Sequence, residues 1–140
     1  MLYIPGVLGT GGIRSNKNVV YRCTYQVVWC TKYRRDVLED GADARLRHIA
    51  LEVCTERDAP IHAMEIRPDQ VRLFVSCDPQ FGIHRLVKQI KARTSRALRQ
   101  EFPQVKSRIP TLWTNSYFVA TVGDAAQGSV EQYVADQRHA

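Results

Sequence analysis

Hydrophobic and polar residues alternate most regularly over residues 69 to 76, between Pro68 and the Asp78-Pro79 pair. Successive side chains of an extended chain point to opposite faces. Val71, Leu73, Val75 and Cys77 therefore share one face, and Gln70, Arg72 and Ser76 the other. The stretch has strand length and is bounded by turn residues, so it predicts a strand with a core face and a polar face. Gln70 and Arg72 stand one strand repeat apart on the polar face, where a site can be built on a flat surface.

The rest of the chain supplies partners for that strand. Residues 19 to 31 are rich in β-branched and aromatic residues and predict another strand. Cys23, Tyr25, Val27 and Trp29 fall on one side of it, Arg22, Thr24 and Gln26 on the other. Lys32-Tyr33-Arg34-Arg35 follows as a basic exit loop that carries an aromatic ring. Residues 42 to 57 place Leu46, Ile49, Ala50, Val53 and Cys54 at helical spacing. Beyond Pro60, residues 61 to 67 alternate again, with His62, Met64 and Ile66 on one face. A lone histidine on a largely apolar face reads as structural rather than as a ligand.

A long helix is expected over residues 82 to 102, with an apolar stripe of Ile83, Leu86, Val87, Ile90, Ala97, Leu98 and Phe102. Pro103 and Pro110 bracket a loop, and residues 116 to 122 form a last strand closed by Gly123-Asp124. Ser129 with Gln132 three positions later matches a capping box, which starts a terminal helix near residue 130. Tyr133 and Gln137 share a face of that helix, four residues apart. The glycine-rich opening has no periodicity, so residues 1 to 18 read as a flexible arm and residues 19 to 140 as one domain.

This order is the split βαβ, ferredoxin-like pattern (βαββαβ), an α+β fold. It places two helices on one face of an antiparallel sheet and adds a C-terminal helix carrying Tyr133. The first and third strands become central. The polar face with Gln26, Gln70 and Arg72 is left uncovered by the two long helices, and the terminal helix is free to lie across it.

Size and charge sharpen the picture. A chain of 140 residues and 16.0 kDa buries a proper core without disulfides or metals. The formal net charge of +6 raises the prior for an acidic partner such as nucleic acid. Residues 1 to 35 carry Arg14, Lys17, Arg22, Lys32, Arg34 and Arg35 and no carboxylate. Residues 82 to 102 carry Arg85, Lys88, Lys91, Arg93, Arg96 and Arg99 against Glu101 alone, while acids gather between Asp36 and Asp58. That asymmetry predicts one basic side and one acidic or neutral side. Salt-bridged surface helices mix signs, so phosphate contact stands beside a merely solvated face as the reading of the long helix.

Cys23, Cys30, Cys54 and Cys77 have neither CxxC nor zinc spacing and read as small buried hydrophobes in a reducing cytosol. No apolar run reaches the ~18 residues of a membrane span, and the start lacks a basic leader. A cytoplasmic protein with no membrane partner is expected.

Several stretches together resemble the single-tyrosine HUH transposases of the smallest bacterial insertion sequences, the TnpA group. They are Tyr25-Gln26-Val27-Val28-Trp29 with Thr31-Lys32-Tyr33-Arg34-Arg35, then Pro68-Asp69 with Val71 and Leu73, and Leu112-Trp113. Ser116-Tyr117-Phe118-Val119 with Thr121-Val122-Gly123 follows, and Tyr133 and Gln137 close the series. The resemblance implies an enzyme that nicks and joins single-stranded DNA. A tyrosine attacks a phosphodiester, forms a 5′-phosphotyrosine link, and is displaced by a second strand end. It further implies Mg²⁺ or Mn²⁺ held by two strand histidines and a helix glutamine, recognition of DNA hairpins, and a homodimer in which either subunit can supply the tyrosine helix. Tyr133 takes the nucleophile position and Gln137 the helix-ligand position. Lys32, Arg34, Arg35, Arg85, Lys88, Lys91 and Arg96 are the expected nucleic-acid contacts.

The chain departs from the family pattern where the two histidines belong, because Gln70 and Arg72 stand there. A glutamine carbonyl can ligate a hard cation as one neutral oxygen. Arginine has no acceptor and stays charged, so it repels a cation. Three readings remain open: a decayed transposase copy that still folds and binds DNA, a repurposed DNA-binding protein, or an enzyme in which Arg72 holds the scissile phosphate in place of the metal. Outside the family, ferredoxin-like domains bind RNA by stacking bases on the sheet, but Tyr25 and Trp29 fall on the expected core face. A small metabolic enzyme or a structural dimer predicts no salt-dependent affinity for hairpin DNA.

Overall fold

Strand-forming and helix-forming stretches alternate along the chain in the computed structural model, which describes residues 2 to 3, 13 to 15, 20 to 21, 23 to 121 and 127 to 139. The strands are β1 (Leu2–Tyr3), β2 (Arg14–Ser15), β3 (Val20–Tyr21), β4 (Thr24–Cys30), β5 (Ile61–Arg67), β6 (Gln70–Ser76) and β7 (Phe118–Thr121). The helices are α1 (Ala42–Glu56), α2 (Ile83–Glu101), α3 (Pro103–Arg108) and α4 (Gln127–Asp136), and the 3₁₀ turns are Lys32–Arg34 and Gln137–His139. One sheet runs β1-β5-β6-β4-β7 with every pair antiparallel, and β2 and β3 form a separate hairpin. Setting β1 aside, β4 and β6 are the central pair, as the ferredoxin-like pattern requires.

Alternation decides what this pair buries. Val27 lies opposite Leu73 and Trp29 opposite Val71, so large apolar groups line one face. Leu46, Ile49 and Val53 of α1 and Leu86, Val87, Ile90 and Leu98 of α2 close over that face. Each such side chain contributes about 1.5–3 kcal/mol relative to exposure. Trp29 is fully buried and meets Trp113 edge to face with centroids 6.0 Å apart. An isolated bridge between Thr31 and Trp113 pins the loop before β7 to the end of β4. Thr94, a buried hydroxyl in the stripe of α2, donates to the Ile90 carbonyl at 2.6 Å and accepts from Trp113 Nε1 at 3.1 Å. Its polarity is thereby satisfied.

Several expectations are corrected. The bracketed loop between Pro103 and Pro110 contains α3, because proline is suited to a helix's first turn, where no N–H is needed. Val105 of α3 then joins the core. The last strand is shorter than expected, Phe118–Thr121, and Val122 with Gly123-Asp124 lies outside the described residues. The terminal helix begins at Gln127, so Ser129 sits inside its first turn rather than at its cap. His62 does not share the face of Met64 and Ile66. A bulge between Ile61 and Ala63 shifts the alternation, placing Ile61 in the core and His62 within 2.7 Å of Ser76 Oγ.

The charge asymmetry is also smaller than the sequence implies. Glu56 of α1 accepts both guanidinium nitrogens of Arg93, at 2.7 and 3.0 Å, and Arg45 of α1 donates to Glu101 at 3.0 and 3.2 Å. Acids of one helix thus neutralise bases of its neighbour. At the amino end, Leu2 and Tyr3 pair with Glu65 and Met64, while the boundary between residues 18 and 19 lies outside the described residues. Among the described residues no helix is long and apolar enough to cross a membrane.

Cys30, Cys54 and Cys77 are free and buried, and burial pushes their thiols from the ordinary 9.0 up to about 11, 12 and 11. A raised acid contributes stability that is complete below its unfolded pKa and lost as pH rises through the folded one. Lys91, which burial pushes down from 10.5 to about 8, acts oppositely, since stability gains as pH rises across that interval. Three thiols outweigh one amine. The melting temperature should therefore fall as pH rises from 9.0 to about 11, with a shallower slope in Cys54→Ala. A melting temperature that climbs over this range contradicts the assignment.

Candidate active site

The sheet face turned away from α1 and α2 carries a narrow apolar seat beside a polar pair. Val28 and Cys30 of β4 are fully buried under Val134 of α4, with Phe118 and Tyr133 packed at the edge. Across the β4–β6 ladder, Val28 lies opposite Arg72 and Cys30 opposite Gln70. The terminal helix therefore crosses the polar face of the sheet, as the topology predicts, and sets Tyr133 along the β7 side of it.

Tyr133 and Gln137 come together through a residue that sequence reasoning did not single out. The hydroxyls of Tyr133 and Ser116 are 3.0 Å apart, and Ser116 Oγ donates to Gln137 Oε1 at 3.4 Å. Gln137 Nε2 donates back to the Tyr133 carbonyl at 3.3 Å. Gln137 belongs to the closing 3₁₀ turn rather than to α4, yet the four-residue spacing keeps the two side chains adjacent. Burial raises the Tyr133 phenol above its ordinary 10.0, and the nearby Cys30 thiol adds to this, while hydrogen bonds from Ser116 and Thr114 offset part of it.

Gln70, only 2% exposed, is held from both sides. Its Oε1 accepts Arg72 Nε at 2.9 Å and its Nε2 donates to Asp69 Oδ1 at 3.3 Å. Asp69 in turn accepts Arg34, with Nε at 2.9 Å and Nη2 at 2.7 Å from Oδ2. Arg34 Nη1 donates to the Val134 carbonyl at 3.4 Å. A continuous polar chain therefore runs from Arg72 to the backbone of α4.

The sequence profile described as "Transposase IS200 like" matches residues 19 to 137, most of the chain. The chain belongs to the IS200-like transposase family. The ISDra2 transposase TnpA of Deinococcus radiodurans is 29% identical over 127 residues, covering 89% of this chain and 91% of that protein. The transposase for insertion sequence element IS200 of Salmonella typhimurium is 22% identical over 129 residues, covering 91% and 84%. A crystal structure of a candidate transposase from Deinococcus radiodurans R1 superposes with a TM-score of 0.81 at 32% identity, over 91% of this chain and 99% of that one. A REP-associated tyrosine transposase, solved bound to a REP hairpin, gives a TM-score of 0.58 at 14% identity, a likeness of fold alone.

Against the family pattern, the residues at the three metal positions do not fit a hard divalent cation. The one oxygen Gln70 offers already accepts the Arg72 guanidinium at 2.9 Å, and Gln137 Oε1 accepts a hydroxyl. A set of two neutral amides and one fixed positive charge lacks the anionic oxygens or imidazoles that such ions take.

The expected nucleic-acid contacts of this transposase-family chain separate into groups. Lys88 and Lys91 share a cleft of about 330 Å³ with His84, Asn115 and Tyr117. Lys91 is committed inside it, donating to the carbonyls of Thr114 at 2.8 Å and Ser116 at 3.1 Å. It thereby fixes the loop that carries Ser116. Lys32, Arg34 and Arg35 lie in the turn beside the Gln137–His139 segment, with Arg34 engaged by Asp69 and Arg35 exposed. Arg85 stacks on Phe81 at 4.5 Å, and Arg96 lines a separate depression with Arg99 and Lys106. Neither belongs to the first two groups. Ser116 was visible in the sequence only as the first residue of a family-like segment, and nothing there marked it as the bridge to Tyr133.

Proposed function

We propose that the chain is a single-tyrosine transposase that binds single-stranded DNA hairpins and whose strand nicking and joining is impaired at Gln70 and Arg72. The observation that carries this reading is the 2.9 Å contact from Arg72 Nε to Gln70 Oε1, which puts a guanidinium where the family pattern has a ligand. In the reaction, the Tyr133 oxygen bonds to phosphorus as the bond from phosphorus to the 3′ oxygen breaks, and the proton lost by the phenol is matched by one taken up by the departing oxygen, leaving a 5′-phosphotyrosine and a free 3′-hydroxyl. A phenol above its ordinary pKa is a weak nucleophile at neutral pH, so charge on the phosphate must be offset. Arg72 can offset part of it as a charge-assisted donor, without activating the phenol. Hairpin DNA as the ligand is supported by the fold shared with the REP-hairpin-bound transposase and by the basic turn and cleft. Residues 19 to 140 act as the transposase domain, in a homodimer.

A second reading, a non-catalytic DNA-binding protein descended from a transposase, is favoured by the same Arg72–Gln70 contact. A nicking assay separates the two. The natural chain with hairpin DNA and Mg²⁺ or Mn²⁺ should bind with an affinity that drops steeply as salt rises. It should yield a slow covalent adduct that disappears in Tyr133→Phe. Binding without any adduct supports the second reading. Rapid adduct formation overturns the impairment, and no hairpin binding overturns the DNA reading.

A further inference from the structure

We infer that Tyr33 is a stacking platform for an unpaired base of the bound single strand, an inference that rests on the DNA reading above. Tyr33 sits at φ 56°, ψ 18° and Arg34 follows at φ 53°. The left-handed region is unfavourable for side chains with a Cβ, and aspartate and asparagine tolerate it best. The other two described non-glycine residues with positive φ are Asp40 and Asp58, which fit that tolerance. Tyr33 and Arg34 do not. Such backbone persists only where its surroundings over-determine it, and it gathers at functional positions.

The surroundings do over-determine this turn. Thr31 Oγ1 donates to the Arg35 carbonyl at 2.7 Å, Arg34 N to the Thr31 carbonyl at 2.9 Å, and Lys32 N to the Leu112 carbonyl at 2.8 Å. Asp69 holds the Arg34 side chain. All this anchoring does not bury the ring that it positions. Tyr33 is 46% exposed and, among the described residues, packs in neither apolar cluster.

An aromatic face held rigidly in solvent among cations is the chemistry that takes a nucleobase and its phosphate. Lys32 Nζ lies 5.0 Å from the Tyr33 ring centroid, and Arg35 is exposed next to it. A base stacks on an aromatic ring with little regard to sequence, and adjacent cations take the backbone. The location fits a single strand entering the site. Arg34 of the same turn bonds the Val134 carbonyl, one residue from Tyr133, and the turn lies against the segment that carries Gln137.

The test uses fluorescence anisotropy with the full chain and a labelled DNA hairpin bearing a single-stranded thymidine flank. Tyr33→Ala should bind roughly tenfold more weakly or worse, whereas Tyr33→Phe and Tyr33→Trp stay close to the natural chain. Tyr33→Gly should bind as weakly as Tyr33→Ala while keeping or raising the melting temperature, because glycine accepts positive φ without strain. On a hairpin whose flank is abasic, the natural chain and Tyr33→Ala should bind alike. Thymidine-flank binding that is unchanged in Tyr33→Ala and Tyr33→Gly overturns the stacking role and leaves the DNA reading intact. Failure of the natural chain to bind either hairpin overturns the DNA reading and the stacking role together.

Discussion

Arg34→Ala should lower the unfolding free energy by about 1–3 kcal/mol, between the values for an exposed and a fully buried ion pair. The side chains of Arg34 and Asp69 are 15% and 14% exposed. Without the guanidinium, the carboxylate keeps only the amide of Gln70 among the side-chain partners described above. The loss is also architectural. Arg34 joins the basic turn, the β5–β6 hairpin tip and α4 through Asp69 and the Val134 carbonyl, so the terminal helix should loosen along with the pair. Urea denaturation measures the first effect, and hydrogen exchange in residues 132 to 137 measures the second. Arg34→Lys should fall between, since an ammonium keeps the charge but cannot span both partners as a planar fork. A loss below about 1 kcal/mol, the size of an exposed pair, would count against the clamp.

Placing histidines at both positions, Gln70→His with Arg72→His, should give a metal response stronger than that of the natural chain. Two imidazoles replace a fixed positive charge and an occupied amide oxygen. Asp69, now 3.3 Å from Gln70 Nε2, is placed to accept the outer ring N–H of a histidine at position 70, the support that ligating histidines ordinarily have. With Mn²⁺ at about a hundred times its dissociation constant, the double variant should gain about 2.7 kcal/mol of stability, read as a rise in melting temperature. Adduct formation on hairpin DNA should accelerate on the order of 100-fold or more, because a Lewis acid on the phosphate supplies several kcal/mol of transition-state stabilisation. An equal thermal shift in the natural chain would show that Gln70 and Arg72 do not exclude the ion.

Most of the fold was legible because its periods are strong. Alternation over residues 69 to 76 and apolar spacing along α1 and α2 gave the layers, and the order of elements gave the central strand pair. The errors have local causes. A proline read as a breaker can instead open a helix, as Pro103 does. One extra residue in β5 reverses every later face, which is how His62 came to meet Ser76 rather than the core. The acids that neutralise Arg93 and pair with Arg45 lie on another element, a distance in sequence that a charge census along one helix cannot cross.

The candidate site was legible in part. Tyr133 and Gln137 followed from family likeness and helical spacing, and the Gln70–Arg72 pair from strand alternation. Ser116 and Lys91 owe their roles to a loop folding between α2 and α4. Only the folded backbone brings those groups within bonding distance.

The pleat of β6 separates durability from chemistry. Val71, Leu73 and Val75 belong to the large hydrophobic layer, while Gln70 and Arg72 lie on the reverse of the same strand. The odd-numbered positions of this strand specify the fold, while Arg72 on the reverse is partly exposed and answers to the site rather than to the core. One strand thus carries two separable demands, packing on one side and charge on the other.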